Sequence, residues 1–364
     1  MTTITKRATA PIAARASKAI PVYGEASMTA FTIPWQCVRG RHGHTVVLKL
    51  TYDLVVGQAL ALRAVADPPS GDISLEGKRY GSLLYPSDFA IRKDRCDVLL
   101  NASAFPAHRN ATSGYVRFSF GARGGQRFDR RIAVFGERQW LDGSMTSPAP
   151  FESVPLVYER ALGGEVNPIG IRSDSGLLPH IEDPDALLVL PGDSPAPVAC
   201  CGVSASWPAR SSLLGSYDEK WRRTRFPYFP DDFDWAYFQA APKPQQLAMI
   251  HPRSRFVLAG VHPEHPVIDG SLPNEDMRCY VQRRGRLQGS FGELTVRLDT
   301  VVFDVPAMKV NLVWRGRLEV ADVDASDVVE LYACRQPADD PSDIEQAYAA
   351  YQTERALRTA TSML

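Results

Sequence analysis

The sequence predicts a mainly β fold: two antiparallel sheets or sandwich-like halves, bridged by an aromatic, proline-rich strap at Ser206 to Leu247 and followed by short C-terminal helices. Three observations point there. Apolar and polar residues alternate at every second position on both sides of the strap, the period of a strand with one buried face. The 28 prolines are about 8% of 364 residues, above the usual ~5%, and favour turns and strands over long helices. Between Trp207 and Phe238, ten aromatic residues fall in thirty-two positions of a chain that is 9% aromatic overall. At roughly 150–250 Å² per ring they represent on the order of 2,000 Å², well above the ~300–600 Å² patch that a soluble monomer leaves exposed. Most of these rings are therefore expected in a core at the junction of the two halves.

Met1 to Ile20 is rich in Ala, Thr, Ser, Lys and Arg and has no apolar run of signal-peptide length, so a disordered tail is expected over 1–20. An antiparallel β domain is expected over 21–150. Met28 to Ile33 opens it. In His44 to Val56, the residues Val46, Leu48, Leu50, Tyr52, Leu54 and Val56 face one way and Lys49, Thr51 and Asp53 the other, as in a half-buried strand. Gly57-Gln58 turns the chain into Ala59 to Val65. Strands follow at Asp97 to Ala104, Tyr115 to Gly121 and Gln126 to Phe135, the last two joined by the glycine-rich Ala122 to Gly125. A phosphate loop would continue with Lys and a hydroxyl residue on a helix; this one runs into a strand, as a hairpin turn does.

Residues 151–247 read as a loop-rich segment and the strap, with a helix only at Leu156 to Leu162. Within the strap, prolines at 208, 227, 230, 242 and 244 exclude one long helix. Ser216 and Glu219 have the spacing of a capping box, which starts a short helix over Tyr217 to Arg223, and Asp231 to Asp234 supply a second cap before Trp235. A second β sheet is expected over 248–320, from Arg255 to Val261, Arg278 to Gln282, Leu294 to Phe303 and Lys309 to Val320. C-terminal helices are expected over 321–364: one at Ser326 to Cys334, another started by Ser342 and Glu345 with Ile344, Tyr348, Tyr351 and Arg355 on one face.

Composition narrows the function. Forty-one basic residues against forty-one acidic leave no net charge, which argues against a nucleic-acid partner. No run approaches the ~20 apolar residues of a membrane span, so a soluble cytoplasmic protein is expected. Six cysteines lack the C-x-x-C spacing of zinc sites and are expected as buried free thiols. Neither G-x-S-x-G nor H-E-x-x-H occurs. His262 and His265 are separated and followed by prolines that break a helix; His42 and His44 flank Gly43 before a strand, with a structural role or a surface metal site as the two readings. Asp231, Asp232 and Asp234 read as caps, since no glycine-centred calcium loop accompanies them. Asp218, Glu219, Arg222 and Arg223 read as a solvated, mutually paired helical face. No metal and no cofactor is expected; His262, His265, Asp231 and Asp232 are the first ligands to test if a metal binds.

Four ordered stretches carry a resemblance. They are Ser87-Asp-Phe-Ala-Ile-Arg-Lys-Asp-Arg-Cys-Asp-Val-Leu-Leu-Asn101; Pro155-Leu-Val-Tyr-Glu-Arg-Ala-Leu-Gly-Gly164 with Asn167-Pro168; the strap with its YDEKW, PDDFD and FQAAP-x-PQQ; and Leu312-Val-Trp-Arg-Gly316. Together, over roughly Ala30 to Val320, they resemble a bacterial family of unknown-function proteins encoded beside type VI secretion spike and PAAR-repeat toxin genes. The resemblance implies an adaptor or chaperone, not an enzyme, that binds a PAAR-like toxin and helps load it onto the VgrG spike. It carries over no catalytic residues. A hydrolase accessory to a toxin locus and a structural component of the spike are the alternatives; an enzyme brings a concave pocket with convergent polar groups, an adaptor a wide groove or an open sheet edge. Trp, Tyr and Arg anchors concentrate interface energy, so Trp207, Arg210, Tyr217, Trp221, Arg222 and Arg225 are the candidate partner-binding residues, with the arginines accessible and the rings packed beneath.

Overall fold

Arg41–Asp53 is the longest strand and lies inside a seven-stranded sheet. The order across that sheet is Gln246–Leu247, Cys96–Asn101, Arg297–Asp304, Lys309–Val320, Arg41–Asp53 and Thr29–Val38, with Ala61–Leu62 also paired to Arg41–Asp53. All neighbours are antiparallel except Cys96–Asn101 and Arg297–Asp304, which run parallel. The computed structural model describes residues 19–38, 41–77, 81–122, 124–284, 291–320, 328–340 and 343–361. The tail expected at Met1 to Ile20 lies outside them, apart from its last two residues.

A five-stranded antiparallel sheet (Ile181–Glu182, Arg127–Phe135, Ser113–Gly121, Arg255–Ala259, Val267–Ser271) packs on the apolar face of the first. Phe303 marks the contact, with its ring 5.9 Å from Phe118, 6.1 Å from Phe120 and 4.9 Å from Phe256. A third sheet has Val22–Gly24 parallel to Val328–Pro337, followed by Glu275–Arg283 and Phe291–Leu294. The mainly β class is therefore as expected, but the sheets do not divide at the strap. Strands from 297–320 sit between strands from 29–53 and 96–101, because the strap returns the chain to the edge it left.

Several local expectations are corrected. The Lys49 and Thr51 face of Arg41–Asp53 is buried: Lys49 Nζ meets Asp88 at 2.9 Å and Thr51 donates to Asn311 at 2.8 Å. The segment after Ser87 covers this face, and burial of the polar residues is tolerated because each has a partner. Val328–Pro337 is a strand where a helix was expected, with Ser326 outside the described residues. Its Val328, Val329 and Tyr332 favour extended backbone, and both neighbouring strands supply ladder bonds. Leu156 to Leu162 contains only a 3-10 turn at Tyr158–Arg160.

In the strap, α1 (Pro208–Ser211) and α2 (Glu219–Thr224) are short. The cap of α2 is Asp218, which accepts from the Trp221 amide at 2.8 Å, not Ser216, whose hydroxyl instead donates to Asp232. Asp234 caps the turn Trp235–Phe238 as expected. The C-terminal α3 (Ile344–Thr361) begins with Asp343 accepting from the amides of Glu345 and Gln346; Ser342 lies outside the described residues. Ala347 and Tyr351 pack on Tyr280, Phe291 and Tyr332 of the third sheet, while Ile344 points outward. Among the described residues no helix is long and apolar enough to cross a membrane.

Candidate partner-binding surface

The strap is fastened by the residues of its FQAAP-x-PQQ stretch. Gln239 and the Ala240 amide each donate to Asp97 at 2.8 Å, and Lys93 completes the carboxylate's shell at 2.8 Å. Gln245 donates to the carbonyls of Val98 and Cys200, and Arg95 to that of Gln246. Trp207 is 2% exposed and stands edge-on to Tyr158 at 4.8 Å. In the 155–168 stretch, Glu159 accepts from the Ser82 amide and hydroxyl, and Asn167 donates to the carbonyls of Tyr158 and Leu162. The motif residues are thus mostly staples.

Arg210 corrects an expectation. It is 8% exposed, not accessible, and its fork donates to the carbonyls of Val203 at 2.7 Å and Tyr237 at 2.8–3.0 Å. Burial pushes its pKa down, opposed by the charges of Asp72 and Asp97. Two folded turns leave carbonyls that need donors, and a planar guanidinium fits both.

The rings also depart from expectation, since of the ten only Trp207 is fully buried. The others bury area against one another. Phe229 and Phe233 stack at 4.2 Å, Trp235 meets Phe233 edge-on at 5.3 Å, and Phe238 stacks on Trp235 at 6.2 Å. Beyond this inner group stands a ridge: Tyr217 and Phe226 flank Trp221 edge-on at 4.8 and 5.6 Å. Tyr217 is 48% and Phe226 61% exposed, yet Trp221 is pinned by its indole N–H to the Tyr228 carbonyl at 2.8 Å. Burial raises the Tyr217 pKa.

Charged residues frame the ridge. Arg222 is exposed; Arg225 is half-buried, paired to Asp231 at 3.1 Å and donating to the Phe229 carbonyl. Asp232 accepts from the amide and hydroxyl of Ser216, which lower its pKa. A cleft of ≈260 Å³ opens between Asp218, Trp221, Arg225 and Asp232. Glu219 and Arg223 pair at 3.0 Å on the outer face of α2, as their spacing implied.

Sequence reading missed a cleft of ≈300 Å³ floored by Tyr52, Leu312 and Trp314 and rimmed by Met249, Glu275 and Arg297. Its walls come from five separate stretches, so no local pattern announces it. His262 and His265 lie 4.6 Å apart in a loop, the former accepting from backbone amides. His44, read as exposed if metal-binding, is 1% exposed on the core side of its strand. Among the described residues no three His, Cys, Asp or Glu stand together as a metal site. Five cysteines are buried and Cys334 half-buried, all as free thiols; burial pushes Cys200 up to about 11 and Cys201 up to about 12.

Residues 39–315, about three quarters of the chain, match a family described as an uncharacterized protein conserved in bacteria, DUF2169. The chain belongs to this family. The DUF2169 span holds the whole strap, the Asp97 anchor that fastens it and the Tyr217–Phe226 ridge. Neither a curated protein nor a solved structure matches the chain.

Proposed function

We propose that this DUF2169 protein is an adaptor that binds a PAAR-like toxin of a type VI secretion system and assists its loading onto the spike. The observation that carries the reading is the Tyr217–Trp221–Phe226 ridge, exposed at both ends and held rigid by α2 and the Tyr228 carbonyl. Rigid aromatic side chains lose little entropy on binding, and Arg222 beside them adds the third residue type favoured at hot spots. The order of the stretches that resemble proteins encoded beside spike and PAAR-repeat toxin genes supports the toxin as the partner.

The test is co-purification with the toxin encoded beside the gene. Tyr217→Ala, Phe226→Ala and Arg222→Ala should keep the melting temperature, and at least one should lose about thirtyfold or more in affinity, the ~2 kcal/mol of a hot spot. Arg210→Ala serves as the control for unfolding. If all three surface variants stay folded at full affinity, the ridge is not the interface and the reading falls.

A further inference from the structure

Arg315 and Arg317 project from the same face of Lys309–Val320, two residues apart. Arg315 is answered by Asp299 and by the Asp88 carbonyl. Arg317 is not: no acceptor among the described residues takes a hydrogen bond from its guanidinium, and its Nε is buried unpaired. The group is clamped between two rings, 4.6 Å from the centre of Trp35 on the sheet and 5.6 Å from Trp235 on the strap. Gly43, opposite Trp35 in register, leaves room for the indole, since a Cβ there would overlap it.

A second cation shares the place. Arg92 lies 5.5 Å from the centre of the same Trp235 ring, and the buried Trp35 indole N–H also finds no acceptor among the described residues. Arg41 pairs with Glu319 and Arg92 with Asp94, so that among the described residues Arg317 is the one of these three cations with no ion-pair partner. Ring faces offset only part of the cost of desolvating a guanidinium, and buried donors in native proteins normally have partners. A planar fork is matched best by a carboxylate. We propose that Arg317, with Arg92 beside it, receives a carboxylate from an acidic segment of the bound polypeptide. That the polypeptide is the toxin rests on the adaptor reading; the carboxylate contact does not. Trp35 and Arg317 lie outside the family match and Arg92 and Trp235 within it, so the site is argued for this chain alone.

The full chain is titrated at low salt with a hexaglutamate peptide and, separately, with inorganic phosphate, following tryptophan fluorescence and the arginine Nε resonances. Hexaglutamate should give a saturable response that weakens about tenfold or more in Arg317→Gln, as loss of a charge-assisted hydrogen bond requires. The melting temperature of that variant should hold or rise, because an uncompensated cation is removed; a purely structural arginine would lower it. Should Arg317→Gln not fold, Arg317→Lys keeps the charge without the fork and should still lose most of the response. No saturable response, an unchanged response in the variants, or binding of phosphate but not of hexaglutamate would overturn the proposal. The titration contains no toxin, so its failure leaves the ridge experiment standing.

Discussion

Asp97 and Gln239, 142 positions apart, meet in a 2.8 Å hydrogen bond enclosed between the strap and the seven-stranded sheet. The same carboxylate pairs with Lys93, so one buried ion pair is also the anchor of the strap. Such a pair adds little net stability over a well-packed apolar replacement, but removing one partner leaves the other charge stranded.

Asp97→Ala should therefore lose about 3–5 kcal/mol, and Gln239→Ala about 1–3 kcal/mol through the unpaired acceptor. Urea unfolding measures both. A loss under about 1 kcal/mol for Asp97→Ala would show that the strap is held by its apolar contacts instead.

Two aromatic residues of the strap should separate folding from binding. Trp207→Ala empties a buried site against Tyr158 and should cost about 3–5 kcal/mol. Phe226→Ala, on the exposed ridge, should stay within about 0.5 kcal/mol while weakening toxin capture. Equal effects on the melting temperature would contradict the division of the rings into staple and ridge.

The strands were legible because apolar residue types recur at every second position, as Val46, Leu48, Leu50 and Tyr52 do in Arg41–Asp53 and Val310, Leu312 and Trp314 in Lys309–Val320. The fold nevertheless buries both faces of these two strands over most of their length. What pairs with what was not. Cys96–Asn101 lies parallel to Arg297–Asp304 only because the strap carries the chain back, and no residue in either strand encodes that. Lys49 reads as a solvated lysine until Asp88 is folded over it, and Arg210 as a surface arginine until the Val203 and Tyr237 carbonyls face it. Val328–Pro337 lacks that alternation of residue types, because Leu331 and Ala333 enter the main core on one face while Tyr332 packs under α3 on the other. Of the candidate site, Tyr217, Trp221 and Arg222 could be found from residue type; Phe226 needed its exposure, and Arg317 the two rings that clamp it.

Stability should decline with acidification through the histidines. Burial lowers the pKa of His44, and burial first also lowers that of His180, below the ordinary 6.5. Above 6.5 both are neutral in folded and unfolded chains alike; as pH falls below it, the unfolded chain takes up protons that the folded one refuses, so the folded state loses ground. The raised pKa values of Glu182 and Asp299, caused by burial, act in the opposite sense. The difference between wild type and His44→Leu isolates the histidine: thermal unfolding between about pH 7.5 and 5.5 should fall less steeply in the variant. Parallel curves would mean that His44 protonates freely in the fold.

The last helix tests whether a terminal element with a polar outer face is part of the body. Tyr351 is buried against Phe291 at 5.4 Å and Tyr332 at 6.1 Å, and its hydroxyl donates to Glu330 at 2.5 Å. Arg355 pairs with the same carboxylate at 3.1 Å. Tyr351→Phe removes only the hydroxyl and leaves Glu330 its arginine, so a loss of about 1–2 kcal/mol is expected. Tyr351→Ala also empties the ring site and should lose about 3–5 kcal/mol. Because α3 adds no strand to any sheet, the loss should appear first as local opening. Amide exchange over 344–361 should accelerate in Tyr351→Ala while Arg41–Asp53 stays protected, and unchanged exchange there would show that Tyr351 does not hold the helix down.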